Sequence, residues 1–364
     1  MRMTRRAALL LALGSATAAC HQAGTPAMPI PQSPLAPTTP VKAVSHWTAV
    51  FQKSWNFQYD SSLPQSRSRD SWDHYNLSYS LDALVAMFRA TRERRYLDRA
   101  LEFTENVMAA AVPSRSIAGS RFKDGYLGWP SSMNGEDGDE IPLYESYFWR
   151  YGTALLVAMR ESAMVMADPG YQARFDRLHT FAATHVFAKW YDRGPDHYIY
   201  RERTHMAAHW GLIALHLGRL QPRDTFQAVR AEVDRRLRDQ LRRSPVDPAA
   251  YFWSDVWGSV KRPGQDVGHG NGVMAYVVEA HDRGTAWSDA DLAAFAAVLK
   301  VIWPGGRDYR AYVDGTGTDN GWLADGFVKL GRGHPSVQLR LEGHQVVNDQ
   351  FAANMALNAR MLRG

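Results

Sequence analysis

The sequence predicts an all-α protein: an (α/α) toroid, an incomplete barrel of about six helical hairpins. Three observations point to it. Apolar residues recur at helical spacing along most of the chain, while alternating strand patterns are short and scattered. Amphipathic segments alternate with segments that are apolar or aromatic on most sides, the pattern of outer helices paired with inner ones. Finally, no fixed repeat period of the kind that marks a helical solenoid is visible.

The elements follow in order. A first helix is predicted over about 44–58. Leu77, Leu81, Leu84, Val85 and Phe88 form the stripe of the next. Leu97, Ala100, Leu101, Thr104, Val107 and Met108 form the stripe of a third, and a charged turn at 92–95 makes the two a helical hairpin. Further helices are predicted at about 143–165, 170–188, 203–218, 222–242, 267–283, 288–303, 319–331 and 345–362. Asp168-Pro169 and Pro222 open two of them, Gly284 closes one, and Ser288 with Asp291 resembles a capping box. The segment 222–242 has Phe226, Val229, Val233, Leu237 and Leu241 on one side and arginines on the other, and reads as outer. Segments 143–165 and 203–218 read as inner.

Ahead of this domain, 44–364, lie two segments of other composition. Residues 1–20 combine Thr4-Arg5-Arg6, an apolar run from Ala7 to Leu13, and small residues up to Cys20. The run is shorter than the roughly 20 residues a membrane span needs, so it reads as a secretory signal, with paired arginines that suggest the twin-arginine route. Thr17-Ala18-Ala19-Cys20 looks like a lipobox, which would make the single cysteine of the chain the lipidated first residue of the mature protein. His21 stands where an aspartate would favour inner-membrane retention, so the expected location is periplasmic or cell-surface, at the outer membrane. Residues 21–43 carry prolines at 26, 29, 31, 34, 37 and 40 and read as a semi-rigid tether. With one cysteine no internal disulfide forms, and packing must supply the stability.

Formal net charge is +5, with arginine well in excess of lysine. No basic run with interleaved aromatics, zinc-finger spacing or phosphate-cradling glycine loop occurs, which argues against nucleic-acid binding. No cofactor is implied.

Chemistry-bearing residues cluster where each inner helix is predicted to begin: Asp73-His74-Tyr75-Asn76, Tyr144-Glu145, Thr204-His205 with His209-Trp210, Asp266 with His269-Gly270-Asn271, Asp319-Asn320, and His344 with Asn348. Any one of these is an ordinary helix cap or a structural histidine. Inner helices of a toroid run parallel, however, so six such clusters meet at one mouth and predict a binding cleft. The loops 113–142, 243–268 and 304–318 lead into it and are long enough to suggest function. Trp129, Trp149, Trp210, Trp253, Trp257, Trp303 and Trp322 lie in or beside these segments, and two or three are expected to offer indole faces to sugar rings. His205 and His209 share a helix face, but the flanks lack the Glu of a zinc-protease helix, so no metal site is expected. Asn134-Gly135-Glu136-Asp137-Gly138-Asp139-Glu140 is rich in oxygen ligands without the spacing of a calcium loop.

In helix order, and in its His, Tyr, Asn and Arg content, the chain resembles the polysaccharide lyases of (α/α)-toroid fold, in particular glucuronan and alginate lyases. The resemblance implies β-elimination on an acidic, uronate-containing polymer. An Asn, His or Arg would neutralise the carboxylate while a His or Tyr removes the C5 proton and a tyrosine protonates O4. Carried over in order, it implies Asn134, His205 with His209, Tyr251 and Arg262, although no Asn adjoins His205 and no tight Arg to Tyr spacing is present. His269 and Asn271 with Arg307, Tyr309 and Tyr312 form a second set. His269 is thus a further catalytic candidate, and His74, Trp129 and Trp210 are substrate-binding candidates.

Two other readings stand beside it. A glycoside hydrolase on the same scaffold needs two opposed carboxylates, for which Asp266, Asp319, Glu136, Asp139, Glu140 and Glu145 are candidates. A non-catalytic glycan-binding lipoprotein needs only the aromatics. All three readings share the lipid anchor. Cys20→Ser is expected to move the protein from the membrane fraction to the soluble fraction and to abolish labelling by radioactive palmitate.

Overall fold

The computed structural model describes residues 40–133 and 138–363, which belong to one compact unit. The signal, the lipobox cysteine, nearly all of the proline-rich tether, and Asn134, Glu136 and Asp137 lie outside the described residues. Eleven helices of eight or more residues organise the unit: α1 (Val44–Arg67), α2 (Ser71–Thr91), α3 (Arg94–Ala110), α4 (Pro142–Arg160), α5 (Pro169–Phe181), α6 (Thr204–Leu220), α7 (Asp224–Gln240), α8 (Val267–Asp282), α9 (Asp289–Ile302), α10 (Pro335–Glu342) and α11 (Asp349–Met361). A 3-10 segment, Phe327–Arg332, lies between α9 and α10.

The inner ring runs α2, α4, α6, α8, the 3-10 segment and α11, each packed on the next, and α11 closes the circle against α2. Outside it, α3 backs α2, α5 backs α4, α7 backs α6, and α9 backs α8. The N-terminal α1 packs against both α11 and α2 and covers the closure. This is the expected (α/α) toroid. Five of its six inner positions are long helices and the sixth is the short 3-10 turn, the one place where the barrel is incomplete. Strand structure among the described residues is confined to two two-stranded ribbons, Val112–Pro113 with Leu127–Gly128 and Arg242–Arg243 with Tyr251–Phe252.

Local sequence explains most boundaries. Asp70 caps α2 by accepting from Trp72 N at 2.9 Å, Asp168 caps α5, and Ser288 with Asp291 forms the full capping box of α9. Two boundaries differ from expectation. The first helix continues past 58 through Pro64 to Arg67, where Leu63 packs on the core and the buried Ser62 and Ser66 hydrogen-bond Ser80 and Asn106, contacts that offset the roughly 3 kcal/mol cost of an interior proline. The predicted helix at 319–331 is mostly loop. Gly321 has φ +83° beneath the Tyr309 ring, and the Gly326 backbone approaches the Asn271 carbonyl so closely that a Cβ would sit 1.9 Å from its oxygen. Helix α10 follows at a place where periodicity gave no signal.

The toroid axis is polar. Lys329 Nζ reaches both Asp82 oxygens at 2.7 and 2.8 Å, and Asn354 and Gln350 donate to Asp82 at 3.0 and 2.9 Å. Gln350 also reaches Asp325 at 3.3 Å, and Asp325 is held by Arg150 Nη2 at 2.6 Å, Tyr151 OH at 2.6 Å and Tyr147 OH at 2.8 Å. Burial opposes ionisation of Asp325, but the Arg150 guanidinium and the two phenols outweigh it and hold the carboxyl below its usual range. The network joins α2, α4, the 3-10 segment and α11. Removing one member of a buried ion pair typically costs about 3–5 kcal/mol, so Asp325→Ala is expected to lose about that much in chemical denaturation, whereas Arg150→Met with Asp325→Leu should recover part of it.

Candidate functional site

The inner helices deliver their first turns to one mouth. Tyr75 and Tyr79 sit four apart on one face of α2, and Tyr144 and Tyr147 three apart on α4. Tyr75 stacks on Tyr147 with centroids 3.9 Å apart, and Tyr79 meets Trp322 edge-on at 5.4 Å. From α6, His209 packs edge-on to Tyr147 at 4.9 Å and His205 stacks on His269 of α8 at 4.3 Å. Tyr75, Tyr79, Tyr147, Asp266, Gly268, His269 and Trp322 line a cavity of about 340 Å³. Among the described residues no lysine or arginine lines it. Arg150, the cation directly below, is engaged by Asp325.

Asp266 caps α8 through His269 N at 2.9 Å and accepts His269 Nδ1 at 2.9 Å. Burial pushes the Asp266 carboxyl up, but hydrogen bonds from the His269 side chain and backbone overcome that and bring it to about 2. In return the Asp266 hydrogen bond raises the imidazole of His269 against an opposing effect of burial. Behind this pair, burial lowers His205 to about 3, assisted by the charge of His269, and takes His209 well below its ordinary value. The mouth therefore offers an ionised carboxylate, one titratable imidazole and two neutral ones.

The structure sorts the residues singled out in the sequence. It brings together His205, His209, His269, Asp266, Tyr75 and Trp322. Asn271 is buried one layer back, donating to the Trp322 carbonyl at 2.9 Å and accepting from Gly326 N and Phe327 N at 2.8 and 3.0 Å, so it sets the position of Trp322.

Other candidates are corrected to structural positions. Tyr251 lies on the second ribbon and donates to Asp291 at 2.7 Å, bracing the cap of α9 outside the cleft. Trp129 is core, its indole donating to the Val107 carbonyl at 2.9 Å, and Trp210 is equally buried. His74 is buried with Nε2 on the Ser68 carbonyl at 3.0 Å, and burial lowers it to about 4. Arg307 bonds Gln345 on the surface, and Tyr309 packs between Trp303 and His344. Arg262 binds Asp314 in a neighbouring groove. Glu140 and Glu145 share the fully buried Lys189, and Asp139 pairs with Arg121, so these three carboxylates are engaged in ion pairs, while Glu136 and Asp137 lie outside the described residues.

Sequence reasoning passed over Tyr79, Tyr147, Arg150 and Asp325. The tyrosine spacings on two inner helices were the available signal, whereas the ion pair joins positions 175 residues apart. Among the described residues no group of three His, Cys, Asp or Glu is placed to hold a metal ion, and no helix is long and apolar enough to cross a membrane.

Fold and site together define an all-α toroid with an aromatic cleft at the mouth of its ring. No family model matches the chain, and no curated protein matches it. Among solved structures it is similar to the GH76A α-1,6-mannanase of Salegentibacter sp. HEL1_6. An inactive double Asp-to-Asn variant of that enzyme, in complex with α-1,6-mannotriose, gives a TM-score of 0.49 at 12% identity, covering 87% of this chain and 99% of that one. A second structure of the same mannanase gives 0.45 at 12% identity, covering 85% and 99%.

The lyase expectation, with its uronate substrate, is corrected here. The similar solved structures bear the name of an α-1,6-mannanase, not of a lyase. Within this chain the elimination set is not assembled, because Tyr251 and Arg262 are engaged elsewhere and the imidazole on the cavity lining, His269, is already paired with Asp266.

The histidines make two pH-dependent predictions. The pKa of His269 is raised on folding, so its contribution to stability is fully present below the unfolded value near 6.5 and is lost as pH rises through the folded value. An NMR titration should place His269 above 6.5, and Asp266→Asn should bring it down. His205, His209 and His74 are lowered, so below pH 6.5 the unfolded chain binds protons that the native one refuses. Stability should therefore fall as pH drops from 6.5 toward 4.

Proposed function

We propose that the protein is a glycoside hydrolase acting on a neutral glycan, held at the outer membrane by a lipid on Cys20. The observation that carries the reading is the Asp266 carboxylate, kept ionised by His269, at the edge of a cavity walled by Tyr75, Tyr79, Tyr147 and Trp322. Aromatic faces bind the apolar faces of sugar rings, and a cavity whose one basic side chain, His269, is already balanced by Asp266 suits hydroxyls better than carboxylates. The neutral imidazoles behind it keep the inner wall uncharged across the physiological range.

Hydrolysis needs a proton donor for the leaving oxygen and an ionised carboxylate on the other side of the sugar. Asp266, at about 2, takes the second part. Asp319, three residues ahead of the lining residue Trp322, is the carboxyl we assign to the first. His269 orients Asp266 and moderates its charge.

The test is release of reducing ends from a panel of α-1,6-mannan, glucomannan, xylan and dextran, with glucuronan as the charged control. Cleavage of a neutral polymer is expected, together with a fall in kcat of about 100-fold or more in Asp266→Asn and in Asp319→Asn, the scale of a lost acid or base. His269→Gln should change the pH profile before it abolishes turnover. Retention of a polymer without any release of reducing ends would make the protein a glycan-binding lipoprotein instead.

A further inference from the structure

Two more concavities continue from the mouth. The first, of about 710 Å³, is lined among others by Arg203, Asp255, Trp257, Lys261, Arg262 and Tyr312; Arg203 is balanced by Asp255 and Arg262 by Asp314, which leaves Lys261 as the lining's one basic group with no ion pair among the described residues. It adjoins the cavity already described. Tyr312 is bridged to Asp266, and Arg203 immediately precedes the α6 turn that carries His205. The charges of Arg203 and Asp255 also act on His269. The second concavity, of about 340 Å³, shares Trp257 and Gly258 with the first and continues past Val260 to Gln240, Arg242 and the α7 arginines Arg235 and Arg236, which are balanced by Glu232 and Asp239.

Trp257 is the ridge between them. Its indole Nε1 donates to the Arg201 carbonyl at 2.7 Å and its backbone N–H to the Glu202 carbonyl at 3.2 Å, so the ring is fixed rather than free to rotate. A half-buried indole of defined orientation, with open space on both sides, is a stacking platform. The Arg203–Asp255 ion pair beside it presents donors and acceptors side by side, the arrangement that matches neighbouring hydroxyls. The larger concavity alone exceeds what one sugar ring fills.

We propose that this groove is a distal binding site for the same glycan, taking sugar units several positions from the reacting one, with Trp257 as its platform. The proposal rests on the glycoside hydrolase reading for the identity of the polymer as a neutral glycan. It assigns Arg262, which the mouth leaves unused, to the wall of this distal groove.

Native affinity electrophoresis in gels containing α-1,6-mannan, glucomannan, xylan or dextran tests it without requiring turnover. At least one polymer should retard the wild-type protein. Trp257→Ala should weaken binding to that polymer by about two- to tenfold, the scale of one aromatic stacking contact. Affinity for the trisaccharide of the same sugar should be unchanged by this substitution. Trp257→Phe, which keeps a stacking face but loses the bond to Arg201, should restore most of the binding. Ser259→Tyr, which obstructs the groove without touching the core, should reproduce the loss even where Trp257→Ala is unstable. Wild-type mobility of Trp257→Ala and Ser259→Tyr in every gel overturns the proposal, as does failure of every polymer to retard the wild type. So does an equal loss on the trisaccharide. Trp257-dependent retardation without reducing ends would leave the groove standing and remove the hydrolase reading.

Discussion

The buried pair of Arg150 and Asp325 is the interaction on which the rest of the structure depends. Both side chains are essentially inaccessible to water, 0% and 1% exposed, so neither tolerates the loss of the other. Asp325 lies in the loop that replaces the start of a sixth inner helix. Through Tyr147, Tyr151, Gln350 and Arg150 it ties that loop to α4 and α11. A short 3-10 turn could not close a six-membered ring by apolar packing alone, and the polar axis supplies the missing register.

The site inherits its geometry from this arrangement. Tyr147 donates to Asp325 at its hydroxyl while its ring stacks on Tyr75 and meets His209, so one side chain links the axis to the cavity wall. Asn271 performs the same service from α8, fixing Trp322 by bonds to backbone on either side of Asp325. Aromatic walls held in this way need little ordering when a ligand binds, which lowers the entropic cost of recognition. The neutral state of His205 and His209 follows from the same burial. The mouth is thereby divided into an uncharged inner wall and one charged edge at Asp266.

Much of the fold was legible because helical periodicity is a local property. The stripes of α2 and α3, the capping box of α9 and the aspartate caps of α5 and α8 all sit within a few residues of what they predict. The convergence of His205, His269, Asp266 and Tyr75 was legible too, since a toroid brings the starts of its inner helices to one mouth. The assignment of roles was not. Tyr251, Trp129 and His74 are of the right type and lie near the right segments. Each, however, finds a partner, in Asp291, Val107 and Ser68, that sequence order alone does not reveal.

The sequence by itself determined most of the helices and their inner or outer character, because each depends on neighbours within a turn or two; the loop at 319–326 and the short α10 escaped it. Only the tertiary structure decided which polar residues serve the core and which face the cleft. That choice turns on contacts between residues far apart in the chain, such as Arg150 with Asp325 and Lys329 with Asp82, and on the burial that strips His205 and His209 of their charge.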